Sequence, residues 1–199
     1  MDLLLIRHGQ SEANSKGLLI SNRLDGLTID GQKQASRLKG LIAHEEINPT
    51  IIFSSPWLRA KSTAEQIFKN RLSDIRFDER LAETNPGIFG SWLEVDFNKE
   101  FPDFYQDLSN VYESGESHLG MASRVKQWVD DTLLPLQEES GLLAVVTHGG
   151  PISVITQHLL GMEIEERYPS FTVPNASMSV MKWRNDLRRF VVHYIGRTA

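Results

Sequence analysis

Apolar residues along the chain follow two rhythms. Four short unbroken runs, Leu3–Ile6, Ile51–Phe53, Leu142–Val146 and Val191–Ile195, are bounded by turn or polar residues. Runs of this length predict strands, and the first three, lacking polar alternation, predict interior strands of a sheet covered on both faces. Between the runs, apolar positions recur every three or four residues. Ala35, Leu38, Leu41 and Ile42 mark one helix, with Asp30 expected as its N-cap. Ala60, Ala64, Ile67 and Phe68 mark a second. Its start is expected at Ser55-Pro56, because a serine hydroxyl accepts free amides and proline has no N–H to leave unbonded there. A third helix is expected from about Ser117 to Leu136, with Ala122, Val125, Val129, Leu133 and Leu136 inward, and a fourth from Gly150-Pro151 to near Gly161.

Strands alternating with helices predict a mainly parallel sheet. Phe171 to Ala199 is expected to add strands at a sheet edge; an exposed edge there leaves both a monomer and a homodimer open. The one irregular stretch, Glu79 to Glu116, is rich in aromatics and turn residues and is the candidate lid. With 199 residues the chain reads as one domain, 1–199. Size scaling then gives a folded surface of roughly 9,500 Å² against roughly 33,000 Å² unfolded, so about 70% is buried and the core needs no covalent staple.

Composition narrows the chemistry. The absence of cysteine excludes disulfides, thiolate metal sites, iron–sulfur clusters and a thiol nucleophile. Lysine plus arginine (21) against aspartate plus glutamate (26) leaves a net charge of −5, with no basic run to suit nucleic acid or an anionic membrane. The opening Met1–Ile6 lacks a basic leader and stops at Arg7, too short for a signal core or a membrane span, so it reads as a buried strand of a cytoplasmic protein.

In open α/β sheets ligands bind beyond the carboxyl ends of the strands. The first strand runs into Arg7-His8-Gly9, the second into Ser54-Ser55-Pro56 with Arg59 one turn later, and the third into Thr147-His148-Gly149-Gly150. Two arginines and two histidines therefore meet at one edge. Two guanidiniums neutralise a phosphoryl dianion, the glycines let amides approach it, and the helix starting at Gly150 aims its positive end there. An imidazole among these cations keeps a lone pair and becomes a nucleophile for phosphorus, which predicts a phosphohistidine. A carboxylic acid must then protonate the departing alkoxide and later take a proton from water; Glu83 is the candidate.

These residues resemble the histidine phosphatase, or phosphoglycerate mutase-like, superfamily. The resemblance runs through six ordered blocks: Arg7-His8-Gly9-Gln10-Ser11-Glu12-Ala13-Asn14, Asp25 to Ala35, Ser54 to Ala60 with Thr63-Ala64, Leu81-Ala82-Glu83 with Gly87, Gly115-Glu116-Ser117, and Val146 to Gly150. It implies a three-layer α/β/α sandwich and two-step phosphoryl transfer with no metal or cofactor. His8 would be phosphorylated, Arg7, Arg59 and His148 would hold the phosphoryl oxygens, and Glu83 would be the proton donor. Asn14 matches a residue that hydrogen-bonds the phosphoryl group, with the Gly149 amide assisting. Ser21, in Ile20-Ser21, stands where relatives place a glycine near the substrate.

The departures bear on substrate. Ile88-Phe89-Gly90-Ser91 replaces a common aromatic-Glu-Gly step, and Thr84 stands where glycolytic mutases have arginine. From Thr84 to His118 the only cation is Lys99, against Glu94, Asp96, Glu100, Asp103, Asp107, Glu113 and Glu116. A mutase lid must hold a second anion and exclude water. The expectation is therefore a small-molecule phosphomonoesterase whose leaving group is neutral, cationic or partly apolar, with Phe89, Trp92, Phe101, Phe104 and Tyr105 available as contacts. The alternatives are a phosphoglycerate-type mutase, a protein-phosphohistidine phosphatase, and a noncatalytic phosphate-binding module. His44, His118, His158 and His193 lack metal-ligand spacing and are read as structural or exposed.

Overall fold

Leu3, Leu4, Leu5 and Ile6 are all fully buried, although successive side chains of a strand point to opposite faces. The strand they form must therefore be covered on both sides. In the computed structural model, which describes residues 1–164 and 168–199, this is β1 (Asp2–Arg7). It belongs to a six-stranded sheet with β2 (Ile51–Ser54), β3 (Ile75–Phe77), β4 (Leu142–Thr147), β5 (Met178–Arg184) and β6 (Arg189–Arg197). The order is β3-β2-β4-β1-β5-β6; the first four are mutually parallel, and β5 runs antiparallel to β1 and β6.

The alternation of β1 and β4 divides the core. Leu4, Ile6, Ala144 and Val146 pack against Leu38 and Ile42 of α2 (Ile29–His44) and Ala64 and Ile67 of α3 (Leu58–Ile67), the short α1 (Glu12–Lys16) preceding both. Leu3, Leu5, Leu143 and Val145 pack on the other face, against Val125 and Trp128 of α5 (His118–Trp128) and Ile152 and Ile155 of α6 (Gly149–Leu159). The result is the three-layer α/β/α sandwich expected. Its 9697 Å² of accessible surface agrees with the size scaling.

Several boundaries differ from the sequence reading. Thr28, not Asp30, caps α2: its hydroxyl accepts from the Gly31 amide at 2.9 Å, leaving Asp30 in the first turn beside Lys33. α3 begins at Leu58 rather than at Ser55-Pro56: the Ser55 hydroxyl accepts from the Trp57 amide at 3.3 Å while also meeting His148, and the Leu58 amide donates to the Arg23 carbonyl outside the helix. Ser117 does cap α5, but the helix widens into a π-turn at Val129–Leu133 and tightens at Leu134–Leu136. Pro135 has no N–H to continue the ladder. The fourth expected helix starts one residue earlier than read, at Gly149. β3 lies outside the expected strands, whereas β5 and β6, the latter holding the Val191–Ile195 run, are the edge strands expected of Phe171 to Ala199.

The stretch after β3 is not loose. It carries α4 (Glu94–Glu100), whose Phe97 joins Leu19, Phe89 and Tyr112 in a small core of its own. Phe89 meets Trp92, Phe97 and Phe101 edge-on at ring separations of 5.2, 5.1 and 5.4 Å, and Phe104 packs 5.1 Å from Phe97. Of the five aromatics available as leaving-group contacts, Phe89, Trp92 and Phe101 are thus engaged with one another, and Phe104 with Phe97 and Tyr112. Tyr105 alone of the five lines the cavity beside His8.

Candidate active site

Parallel register brings the chemistry together. Arg7 pairs with Thr147, and both Ile6 and Ser54 pair with Val146, so β1, β2 and β4 end level and release His8, Ser55 and His148 at one edge. Gly9 is required there: a Cβ would lie 2.5 Å from the Gly31 carbonyl oxygen, the point where this loop presses on α2. The Gly9 amide donates to the Thr63 hydroxyl at 3.1 Å, which donates to the Arg59 carbonyl at 2.7 Å. That chain fixes Arg59 on α3 relative to His8.

His8 is buried, and its Nδ1 lies 2.7 Å from the Gly9 carbonyl oxygen. A carbonyl only accepts, so Nδ1 carries the proton and Nε2 keeps its lone pair. Arg59 Nε donates to that Nε2 at 3.1 Å. Burial, then the charges of Arg59 and Arg7, hold the His8 pKa well below its ordinary value. His148 sits 5.0 Å away, ring edge to ring face, with Nε2 2.9 Å from the Ser55 hydroxyl. Burial first, then Arg59, His8 and Arg7, hold it well down too. Both rings are neutral at pH 7.

The two arginines are themselves desolvated. Burial lowers Arg59 to about 10, opposed by Glu83 and Asp25, and its guanidinium lies 3.6 Å from buried Asp25 and 4.8 Å over the Trp57 ring. Burial also lowers Arg7, which donates to the Val173 carbonyl while its Nε stays buried without a partner. His148 Nδ1 is likewise buried and unpartnered. A buried guanidinium N–H left open on Arg7, with a second buried guanidinium nearby, suits an anion.

Glu83 reaches this edge from the segment after β3. The Thr84 amide donates to one carboxylate oxygen at 3.0 Å and the Gly150 amide, at the start of α6, to the other at 3.2 Å. Glu83, Arg7, His8, Asn14 and Arg59 line one cavity of about 450 Å³ together with Leu19, Ile20, Glu94, Asn98, Tyr105, Leu108, His118, Tyr168 and Pro169. Among the described residues no three His, Asp or Glu side chains are grouped to hold a metal ion.

Asn14 lines the cavity, with its side-chain oxygen held by the Ser11 amide and by Asn175 at 3.1 Å. Gly149 lies beside the Arg7 guanidinium, where an added Cβ would rest 3.6 Å from its carbon. Ser21 does not line the cavity, although Leu19 and Ile20 do. It is buried with φ +76, the left-handed conformation glycine prefers, and its carbonyl packs on Gly90. The backbone shape is kept without the glycine.

Three residues beyond the sequence candidates complete the site. His118, set aside for lack of metal-ligand spacing, lies in the cavity wall, where burial lowers its pKa; its Nδ1 is 3.2 Å from the Thr84 hydroxyl and its Nε2 3.2 Å from the Tyr112 hydroxyl. Tyr168 stacks beside it at 5.5 Å. Arg124 uses all five N–H donors, binding the carbonyls of Arg80, Ala82 and Glu83 and both oxygens of Glu116. The Gly115-Glu116-Ser117 block adjoining His118 is the sequence signal that points to this wall.

The histidine phosphatase superfamily (branch 1) matches residues 3–195. The 2,3-bisphosphoglycerate-dependent phosphoglycerate mutase of Rhizobium etli is 26% identical over 193 residues, 93% of this chain and 92% of its own. Phosphoserine phosphatase 1 of Hydrogenobacter thermophilus is 27% identical over 184 residues, covering 90% and 85%. Among solved structures, the α-ribazole phosphatase of Shigella flexneri shares the fold with a TM-score of 0.85 at 24% identity, over 99% of this chain and 96% of that one. Phosphatases and mutases alike stand among the relatives, and both work on phosphate esters. Because the family match runs from β1 into β6 and takes in every strand that delivers the anion pocket, the chain belongs to the histidine phosphatase superfamily.

Proposed function

We propose that this enzyme hydrolyses small-molecule phosphomonoesters through a phosphohistidine on His8, without a metal. The observation that carries the reading is a buried imidazole with its proton fixed on Nδ1 and its Nε2 set beside Arg59, with Arg7 and the unpartnered Nδ1 of His148 at the same strand edge. In the first step Nε2 attacks phosphorus, the ester P–O bond breaks, and Glu83 in its acid form gives its proton to the leaving oxygen. In the second, Glu83 as carboxylate takes a proton from water, the water oxygen attacks phosphorus, and the P–N bond breaks to release phosphate and restore His8. Arg7, Arg59 and His148 carry the charge of the transferring group, with Asn14 and the Gly149 amide as further donors. Segment 84–118 serves as the lid over the leaving group.

The likeness to the Rhizobium mutase favours a second reading, phosphoglycerate isomerisation primed by a bisphosphate. Hydrolysis of p-nitrophenyl phosphate by wild type and His8→Ala, with EDTA present, tests the first reading. EDTA-resistant turnover that is lost in His8→Ala supports it. A folded wild type that is silent here but interconverts phosphoglycerates when primed supports the second.

A further inference from the structure

The cavity is asymmetric in charge. Among the described residues its lysines and arginines are Arg7 and Arg59, and both are committed to the His8 end. Away from them the wall carries Glu94 and Asn98, one turn apart on α4, with Tyr105 and Tyr168. Glu94 enters none of the ion pairs formed among the described residues. Burial raises the Tyr105 hydroxyl above its ordinary pKa, and the Glu94 charge adds to the rise. Burial does the same at Tyr168, reinforced by Glu83 and Tyr105, so the two phenols stay neutral and run from the Glu94 end toward the acid. Lys99, the one lysine of the lid, does not line the cavity.

Once a phosphoryl dianion is set against the two guanidiniums, Glu94 is left, besides the reacting acid Glu83, as a carboxylate of the cavity with no cation beside it. A carboxylate next to neutral aromatic faces attracts an ammonium and repels a second anion. We infer that the site selects phosphomonoesters of amino alcohols, with the ammonium seated at Glu94 and Asn98 and against Tyr105. This rests on the phosphomonoester reading above. It goes beyond that reading in making Glu94 a specificity-determining residue.

The test separates binding from turnover. Binding to His8→Ala is measured by calorimetry at low salt for 2-aminoethyl phosphate, 2-hydroxyethyl phosphate and phosphoglycolate, and for the corresponding four-carbon series. At one or both lengths the ammonium ester is expected to bind about fivefold tighter than the hydroxyl ester, and the carboxylate ester weakest, as suits a partly exposed pair. Glu94→Gln in the same background should abolish that order and Glu94→Lys should invert it. The Glu94 side chain is exposed, so these variants are expected to fold. Equal affinity across both series, tightest binding of the carboxylate ester, or an order untouched by Glu94→Lys would overturn the inference. If the order holds while wild type turns over none of the esters, it is the hydrolysis reading that fails and this one stands.

Discussion

Arg59 Nε donates to His8 Nε2 at 3.1 Å while its terminal nitrogens donate to the Asn22 and Ile20 carbonyls, so one guanidinium is locked in plane beside the proposed nucleophile. A lysine ammonium cannot reproduce that planar fork. Arg59→Lys is therefore expected to lower kcat/KM for p-nitrophenyl phosphate by about 100-fold, the scale of losing one preorganised donor. The retained charge beside buried Asp25 keeps the fold. A near-wild-type rate in Arg59→Lys would remove Arg59 from the reaction.

His8 and His148 both have depressed pKa values, which links activity and stability to pH. The unfolded chain takes up protons at these positions below about 6.5, while the folded chain does not until well lower. The unfolded state then binds more protons, so stability falls as pH drops through this window and is fully recovered above it. The expected loss at pH 5.5 is about 1.4 kcal/mol for each histidine. Urea melts at pH 7.5 and 5.5 measure it, and His148→Asn should shrink the difference. The acid limb of kcat/KM, which reports the folded His8, should lie well below the ordinary histidine range.

What the sequence disclosed and what it hid follow from how each residue earns its place. His8, Arg59 and His148 were legible because strand ends are set by local apolar runs, and register does the rest. β3 was hidden because only Ile75 of its three residues is buried, and the bounds of β5 because Ser179 interrupts its apolar run to bond the Gly196 amide. His118 and Arg124 were hidden for another reason: their partners, Thr84, Tyr112 and the carbonyls around Glu83, come from a segment whose path no local pattern gives. The acidic character of the lid was readable, but which acid faces the cavity was not. That depends on α4 burying Phe97 and so turning Glu94 and Asn98 toward the opening.

Arg124 is placed to position the proposed acid, Glu83. Its hydrogen bonds to the Arg80, Ala82 and Glu83 carbonyls measure 2.9, 2.7 and 2.8 Å, and they hold the segment that carries the acid. Arg124→Met should displace Glu83 and slow protonation of the leaving group. An alkyl ester needs that proton, whereas p-nitrophenolate leaves readily without it. Because kcat/KM reports only the first step, before Glu83 acts as base on the shared phosphohistidine, the alkyl-to-aryl ratio of kcat/KM is expected to fall about tenfold or more, and Arg124→Lys should recover part of it. An equal loss on both esters would mean that Arg124 only supports the fold.

Gly150 provides an independent handle on the same acid. A Cβ there would lie 2.3 Å from Glu83 Oε1 and 2.7 Å from the Tyr168 hydroxyl, distances no real side chain tolerates. Its φ is not in the left-handed region, so Gly150→Ala strains contacts rather than backbone. The carboxylate is the group free to swing, and doing so breaks its 3.2 Å bond from the Gly150 amide. Gly150→Ala should therefore reproduce Glu83→Gln: a fall in kcat/KM of about 100-fold on alkyl esters, much less on p-nitrophenyl phosphate. The two changes should not add in the double variant, since each removes the same proton donor. Full additivity would place the effect of Gly150 elsewhere, in α6 or in the Arg7 pocket next to it.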